Sequence, residues 1–215
     1  MSSDNFCPTS RPGEYPSDCE ITRNLLERAR TRTEDPDRTP AWRAALLKAR
    51  HVEMLLLDVD GVLTDGTLTY THDGGENKRF HTQDGFGLRL MREAGLRIGL
   101  ITARTSAAVS RRAADLGIEH VFQGSGQKLE IYQEILKTIS LHPPQTAYMG
   151  DDWLDLPVLR RAGFSCAPAN AVDEVRQRVD YVTLRPGGYG AVREICDLIL
   201  EARGERKELL RRYSQ

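Results

Sequence analysis

Asp58 and Asp60 stand one residue apart at the end of a continuous apolar run, in Met54-Leu-Leu-Leu-Asp-Val-Asp-Gly-Val-Leu-Thr-Asp-Gly66. The run reads as a buried strand. Alternate strand positions share a face, so both carboxylates leave the strand tip on one side. Parallel α/β sheets bind their ligands at the carboxyl ends of the strands. Two acids there suit one metal ion, or one nucleophile with one proton carrier. The competing reading, a surface turn rich in Asp and Gly, leaves the apolar run before it without a purpose.

Other groups follow in order. Thr102 ends a second apolar run within Leu100-Ile-Thr-Ala-Arg104, Lys128 opens a helix-like stretch, and Tyr148-Met-Gly-Asp-Asp152 ends a further strand. Each match alone recurs by chance; the four in sequence resemble the haloacid dehalogenase superfamily of phosphatases across residues 54–200. The resemblance implies roles that the chemistry supports. Asp58 is the expected nucleophile, splitting one slow hydrolysis into two easier steps through an acyl phosphate. Asp60 protonates the leaving alkoxide and then takes a proton from water. Asp151, Asp58 and the Asp60 backbone carbonyl suit Mg2+, which takes oxygen ligands and keeps several waters. Thr102 and Lys128 meet the phosphoryl oxygens, and the start of the Lys128 helix itself attracts anions. Asp152 is expected behind the metal ligands, and Asp155 as the cap of the next helix or a functional acid. The guanidinium of Arg104 suits bidentate contact with a carboxylate.

Those residues need a scaffold, and the chain is long enough for one. At 215 residues a domain buries roughly 70% of its unfolded surface. A net charge of −1 gives no footprint for nucleic acid or a membrane surface. The four cysteines have no metal spacing; Cys166 and Cys196 read as buried thiols of a reduced protein, and a Cys7–Cys19 disulfide is the alternative for the head. No run approaches the length of a membrane span and no signal-peptide pattern opens the chain, so a soluble cytoplasmic protein is expected.

Residues 1–40 hold five prolines among Ser, Asp and Arg and read as a mobile extension with one short amphipathic segment around Ile21–Ala29. From a lead-in helix at Trp42–Arg50 onward, strands and helices alternate. Strands are expected at 54–58, 97–102, 120–123, 146–150, 164–167 and 181–183. Helices are expected at 85–94 with Asp84 as N-cap, 106–116, 128–139, 155–162 and 190–202. Short links between them imply right-handed crossovers and a doubly wound parallel sheet between helix layers. The alternation is broken once, by a β-hairpin signal over 67–82. It is too small for a cap domain, and a lone hairpin is marginally stable, so it should pack on something else. The domain is thus 41–203, and the charged run after 204 reads as a solvated tail.

The resemblance narrows on Asp58-Val-Asp-Gly-Val-Leu-Thr-Asp-Gly66, the uncapped hairpin, Asp84-Gly-Phe-Gly87, Thr102-Ala-Arg104 and Gly187-Gly-Tyr-Gly-Ala-Val-Arg-Glu194. These resemble the 3-deoxy-D-manno-octulosonate 8-phosphate phosphatase family. The resemblance implies a capless, Mg2+-dependent homotetramer that makes the free keto acid for lipopolysaccharide. It further implies that Gly187, Gly188 and Tyr189 reach substrate as part of a neighbour's loop. Tyr189 stands where that family often has arginine. Related nine-carbon phosphatases tend to carry Glu at the position of Arg104. A signalling receiver domain would place its acidic pair and phospho-acceptor on different strands from those seen here, and a non-catalytic tetramerising domain has no need of the full acid set.

Overall fold

The computed structural model describes residues 38–215. The expected mobile head and the Cys7–Cys19 pair therefore lie outside the described residues, except for 38–40. At the centre stands β1 (Met54–Leu57), buried at every position. Its side chains divide by parity: Leu55 and Leu57 enter one hydrophobic core, Met54 and Leu56 another on the opposite face. A strand buried on both faces is what an unbroken apolar run without alternation specifies.

On one side β1 pairs with β4 (Arg97–Ile101), and β4 with β5 (His120–Phe122); on the other it pairs with β6 (Thr146–Met149), followed by β7 (Phe164–Ala167) and β8 (Tyr181–Val182). All these pairings are parallel. The chain runs outward from β1 through β5, then crosses back to start β6 on β1's free side. That reversal opens a crevice at the carboxyl ends of β1 and β6. The small strands β2 (Thr69–Tyr70) and β3 (Glu76–Asn77) form the hairpin, paired antiparallel with Tyr70 opposite Glu76.

Helices α1 (Pro40–Ala49), α2 (Thr82–Glu93) and α7 (Ala191–Ala202) contribute to the Leu55/Leu57 core, with α3 (Ala107–Leu116) beside α2. The other face is covered by α4 (Lys128–Ile139), α5 (Leu156–Leu159) and α6 (Asp173–Arg176). Helix α3 ends on Gly117 at φ +63, as expected of a glycine stop.

Three sequence expectations are corrected. Asp84 does not cap its own helix, which starts earlier, after His81. It is buried and accepts from the Gly190 and Arg193 backbone amides at 3.2 and 2.7 Å. It thereby caps α7, whose N-cap residue Gly190 has no side chain for the task. The helix expected at 155–162 is instead a 3-10 turn, Trp153–Asp155, followed by the short α5. The tail expected to be solvated folds as α8 (Arg206–Tyr213). Leu209 is buried, Tyr213 stacks edge-on against Phe86 at 5.3 Å, and its hydroxyl donates to Glu93. Leu209 and Tyr213 anchor an otherwise largely charged run.

Cys166 and Cys196 are buried free thiols, as expected. No helix among the described residues is long and apolar enough to cross a membrane.

Candidate active site

The backbone after β1 places the first two acids. The Asp58 amide donates to the Met149 carbonyl at 2.9 Å, extending the β1–β6 pairing by one residue. The chain then winds tightly, with the amides of Val62, Leu63 and Thr64 all donating to the Val59 carbonyl. Val59, Val62 and Leu63 are buried and anchor the turn. Asp58 continues the parity of Met54 and Leu56, so it faces the layer containing α4.

Lys128, the first residue of α4, meets it there. Its Nζ lies 2.9 Å from Asp58 Oδ1 and 2.7 Å from Asp155 Oδ1. Burial pulls the Lys128 ammonium down, but the two carboxylates outweigh it and hold it above its usual range. It is therefore cationic.

Carboxylate oxygens of Asp58, Asp151 and Asp155 all lie within 4.8 Å of one another. Burial pushes Asp58 up to about 6, with Asp155 adding to the rise and Lys128 opposing it. Asp151 is pushed up to about 8, by burial first and then by Asp58, Asp155 and Asp152. Crowded, desolvated carboxylates of this kind favour either a proton or a cation. The donor set is oxygen only, which suits a hard divalent ion. Asp155 is the exception among the three. Its Oδ1 accepts from Lys128 and from the Tyr148 hydroxyl at 2.6 Å, and its Oδ2 accepts from the Asp151 and Asp152 amides at 3.0 and 3.2 Å. With both oxygens occupied, it orients Lys128 and the Gly150-Asp-Asp152 turn. Tyr148 has no sequence signature of its own: a buried strand tyrosine looks like any core aromatic.

Asp60 is held differently. Its Oδ1 accepts from Lys78 Nζ and, at 3.4 Å, from the Thr64 hydroxyl. Its Oδ2 is buried without a hydrogen-bond partner, with Arg104 Nε at 3.7 Å. Arg104 itself is half-exposed and reaches Glu76 Oε2 at 2.5 Å and the Tyr70 hydroxyl at 3.5 Å, both on the hairpin. Lys78 and Glu76 were not singled out in the sequence, because a charged pair on and just after a two-residue strand has no periodic signal.

A cavity of about 310 Å3 gathers these groups: Asp58, Asp60, Thr102, Arg104, Lys128, Asp151 and Asp152 all line it. Thr102 is buried at the end of β4, with its hydroxyl accepting from the Arg104 amide at 3.3 Å. Asp152 is exposed and accepts from the Trp153 amide at the start of the 3-10 turn. Asp155 lies at the cavity's inner wall.

Gly187, Gly188 and Tyr189 are not among its lining residues. Within the single chain they brace the outside of the 61–65 turn. Gly188 N donates to Val62 O at 3.0 Å, Gly187 N donates to Asn170 Oδ1 at 2.8 Å, and the Tyr189 hydroxyl contacts Asp65 and Arg79. The expected substrate contact concerns a neighbour's site. Within one chain, Gly187 and Gly188 permit close approach to the backbone of the 61–65 turn.

The doubly wound sheet with an acid cluster at its reversal point is the architecture of haloacid dehalogenase-like hydrolases, and the pattern of that class matches residues 119–192. Similarity to characterised proteins extends much further along the chain. Over 169 residues it is 41% identical to the 3-deoxy-D-manno-octulosonate 8-phosphate phosphatase of Escherichia coli K12, covering 79% of this chain and 90% of the relative. The enzyme of that name from Moraxella catarrhalis, solved with a magnesium ion, a phosphate ion and KDO, is 40% identical. It superposes with a TM-score of 0.77 over 79% of this chain and 97% of that one. The Yersinia pestis enzyme gives a TM-score of 0.75 at 40% identity, over 76% and 89% of the two chains. The chain belongs to the 3-deoxy-D-manno-octulosonate 8-phosphate phosphatase family and is a hydrolase of phosphoric monoesters.

Proposed function

We propose that this chain removes phosphate from 3-deoxy-D-manno-octulosonate 8-phosphate, releasing the free keto acid for lipopolysaccharide synthesis, with Mg2+ as cofactor. The observation that carries the reaction type is the unequal holding of two acids on one cavity. Asp58 sits beside a buried ammonium, and Asp60 has one oxygen hydrogen-bonded and one without a hydrogen bond.

Asp58 attacks phosphorus, forming an acyl phosphate as the bond to the sugar oxygen breaks. Asp60 gives its proton to that oxygen from Oδ2, the oxygen free of hydrogen bonds. Water then attacks the acyl phosphate, passing its proton to Asp60 and releasing inorganic phosphate and Asp58. Lys128 and the hydroxyl of Thr102 hold the phosphoryl oxygens, and Asp155 keeps Lys128 in place. Mg2+, held by Asp58, Asp151 and the Asp60 carbonyl, would neutralise charge on the phosphoryl group. Asp152, exposed at the cavity, adds negative charge beside Asp151. Arg104 takes the substrate carboxylate.

The catalytic domain is residues 41–203 with hairpin 67–82, and four copies assemble through the hairpins. Exposed Leu68 and Tyr70 on the hairpin support that assembly, and monomeric light scattering at micromolar concentration would refute it. Gly187, Gly188 and Tyr189 then approach a neighbour's substrate from the far side of the turn they brace. Buried free thiols support a reducing, cytoplasmic setting.

The deciding experiment is phosphate release by Asp58→Asn and Asp60→Asn. Asp58→Asn should fold and be inactive. Asp60→Asn should lose activity on a sugar phosphate far more than on p-nitrophenyl phosphate, whose leaving group needs no proton. Near-normal turnover by Asp58→Asn, or equal losses by Asp60→Asn on the two substrates, refutes the assigned roles.

A further inference from the structure

The hairpin delivers one charge to the site that the reaction above leaves unused. Lys78 follows β3 directly, and its side chain is 1% exposed, a burial that lysine tolerates only when paired. Its ammonium meets Asp60 Oδ1 on one side and Glu76 Oε1, at 2.9 Å, on the other. Glu76 in turn grips Arg104 through its second oxygen. One short hairpin therefore touches both the proton carrier and the cation assigned to the substrate carboxylate.

The contact with Asp60 is selective. A carboxyl group turns readily about its terminal torsion, and Asp60 lies in a turn rather than in a helix or strand. Lys78, assisted by the longer contact from Thr64, occupies Oδ1 and leaves Oδ2 without a hydrogen bond, with the Arg104 guanidinium 3.7 Å away. A proton carrier works only when the proton-bearing oxygen is held near its target, and a displacement of about 1 Å can cost on the order of 10²-fold in rate.

We infer that Lys78 is a positioning residue for Asp60: by holding Oδ1 it presents Oδ2 to the leaving oxygen, making the hairpin a working part of the acid–base machinery. The inference rests on Asp60 being the proton carrier. It separates Lys78, which hydrogen-bonds Oδ1, from Arg104, which stands 3.7 Å from Oδ2 and faces substrate, although both are tied to Glu76.

The test uses phosphomonoesters without a carboxylate, so that loss of a substrate ion pair cannot imitate loss of positioning. Values of kcat/KM are measured on p-nitrophenyl phosphate, phenyl phosphate and glucose 6-phosphate for Lys78→Met, Lys78→Arg, Asp60→Asn and the double variant Asp60→Asn/Lys78→Met. Lys78→Met should lose about 10- to 100-fold on glucose 6-phosphate, with phenyl phosphate in between and less than about threefold lost on p-nitrophenyl phosphate. Lys78→Arg, which keeps the charge and the donor, should recover most of the loss. In the Asp60→Asn background, Lys78→Met should change glucose 6-phosphate turnover by no more than about twofold, because groups acting through one another are not additive.

Equal losses across the three esters, no loss, or a further large loss in the Asp60→Asn background overturns the positioning role. If Asp60→Asn itself shows no dependence on the leaving group, the reading of Asp60 fails and this inference falls with it, whatever Lys78→Met does. Should Lys78→Met melt below the assay temperature, Lys78→Gln carries the same comparison.

Discussion

A methyl group added at Gly61 would stand 2.0 Å from Asp151 Oδ2, so the glycine between the first acid pair and the next turn is where the third acid rests. On the other side of the same residue, a side chain at Gly187 would meet the Gly61 carbonyl oxygen at 1.7 Å. The turn after β1 is clamped between an acid and a second backbone, and Asp60 is carried by that clamp.

Gly61→Ala should therefore injure the site through two separate causes. Gly61 has φ +87, a conformation costing a side-chain-bearing residue about 1–3 kcal/mol, and the new methyl displaces Asp151. The expected result is a lower melting temperature and a rise of at least about tenfold in the Mg2+ concentration needed for half-maximal activity. Wild-type Mg2+ activation by a folded Gly61→Ala protein would show that the clamp does not set the metal ligands.

The metal-free protein should lose stability as pH rises. Asp58 is pushed up to about 6 and Asp151 to about 8, chiefly by burial and then by neighbouring carboxylates. Both keep a proton in the folded chain at a pH where the unfolded chain has released it. Stability then falls with rising pH between the ordinary carboxylate range and these raised values, and levels off above them. A cation that binds the ionised pair reverses the loss. Melting temperatures in chelator and in Mg2+ should therefore diverge from pH 5 to pH 8. A gap that stays constant or narrows would mean that these two acids do not bind the ion together.

Much of this was legible in the residues because the same run that specifies a strand also specifies its ligand-binding end. Asp58, Thr102 and Asp151 each follow an apolar segment, and burial pattern alone places them at strand tips. Lys128 was legible from the helix it opens. The parts that were not legible depend on contacts between distant segments with no local period. Asp84 has the sequence context of a cap and is one, but for a helix more than a hundred residues further on. Lys78 and Glu76 belong to a hairpin too short to show alternation. Tyr148 and Asp155 meet only because β6 and the following 3-10 turn fold back on each other. Gly187 and Gly188 advertise close approach without naming what approaches.

The docked tail offers a test of the fold apart from the chemistry. Leu209 is the buried residue of α8, and truncating a buried leucine costs about 2–5 kcal/mol. For a domain of this size each kcal/mol lowers the melting temperature by about 2–4 °C. Leu209→Ala should thus melt at least about 4 °C lower while kcat stays unchanged, since α8 does not line the cavity. An unaltered melting temperature would return this segment to the status of a solvated end.

The most exposed prediction concerns specificity. A keto-acid phosphate is charged at both ends, and Lys128, Thr102 and the metal ligands serve only the phosphate. Without a cap domain, its carboxylate must be met at the cavity rim, where Arg104 is the cation that lines the opening. Its side chain is 42% exposed and already paired with Glu76, so solvent screening keeps its contribution below that of a desolvated charge pair. Arg104→Ala should reduce kcat/KM for the keto-acid phosphate by about tenfold and leave p-nitrophenyl phosphate, which lacks the carboxylate, nearly unchanged. Glu76→Gln should act in the opposite sense on binding, because it frees the guanidinium from a competing carboxylate, and so should lower KM for the same substrate. Equal losses on both substrates in Arg104→Ala would assign Arg104 to the phosphate or to the hairpin's fold, and the eight-carbon acid would lose its recognition element.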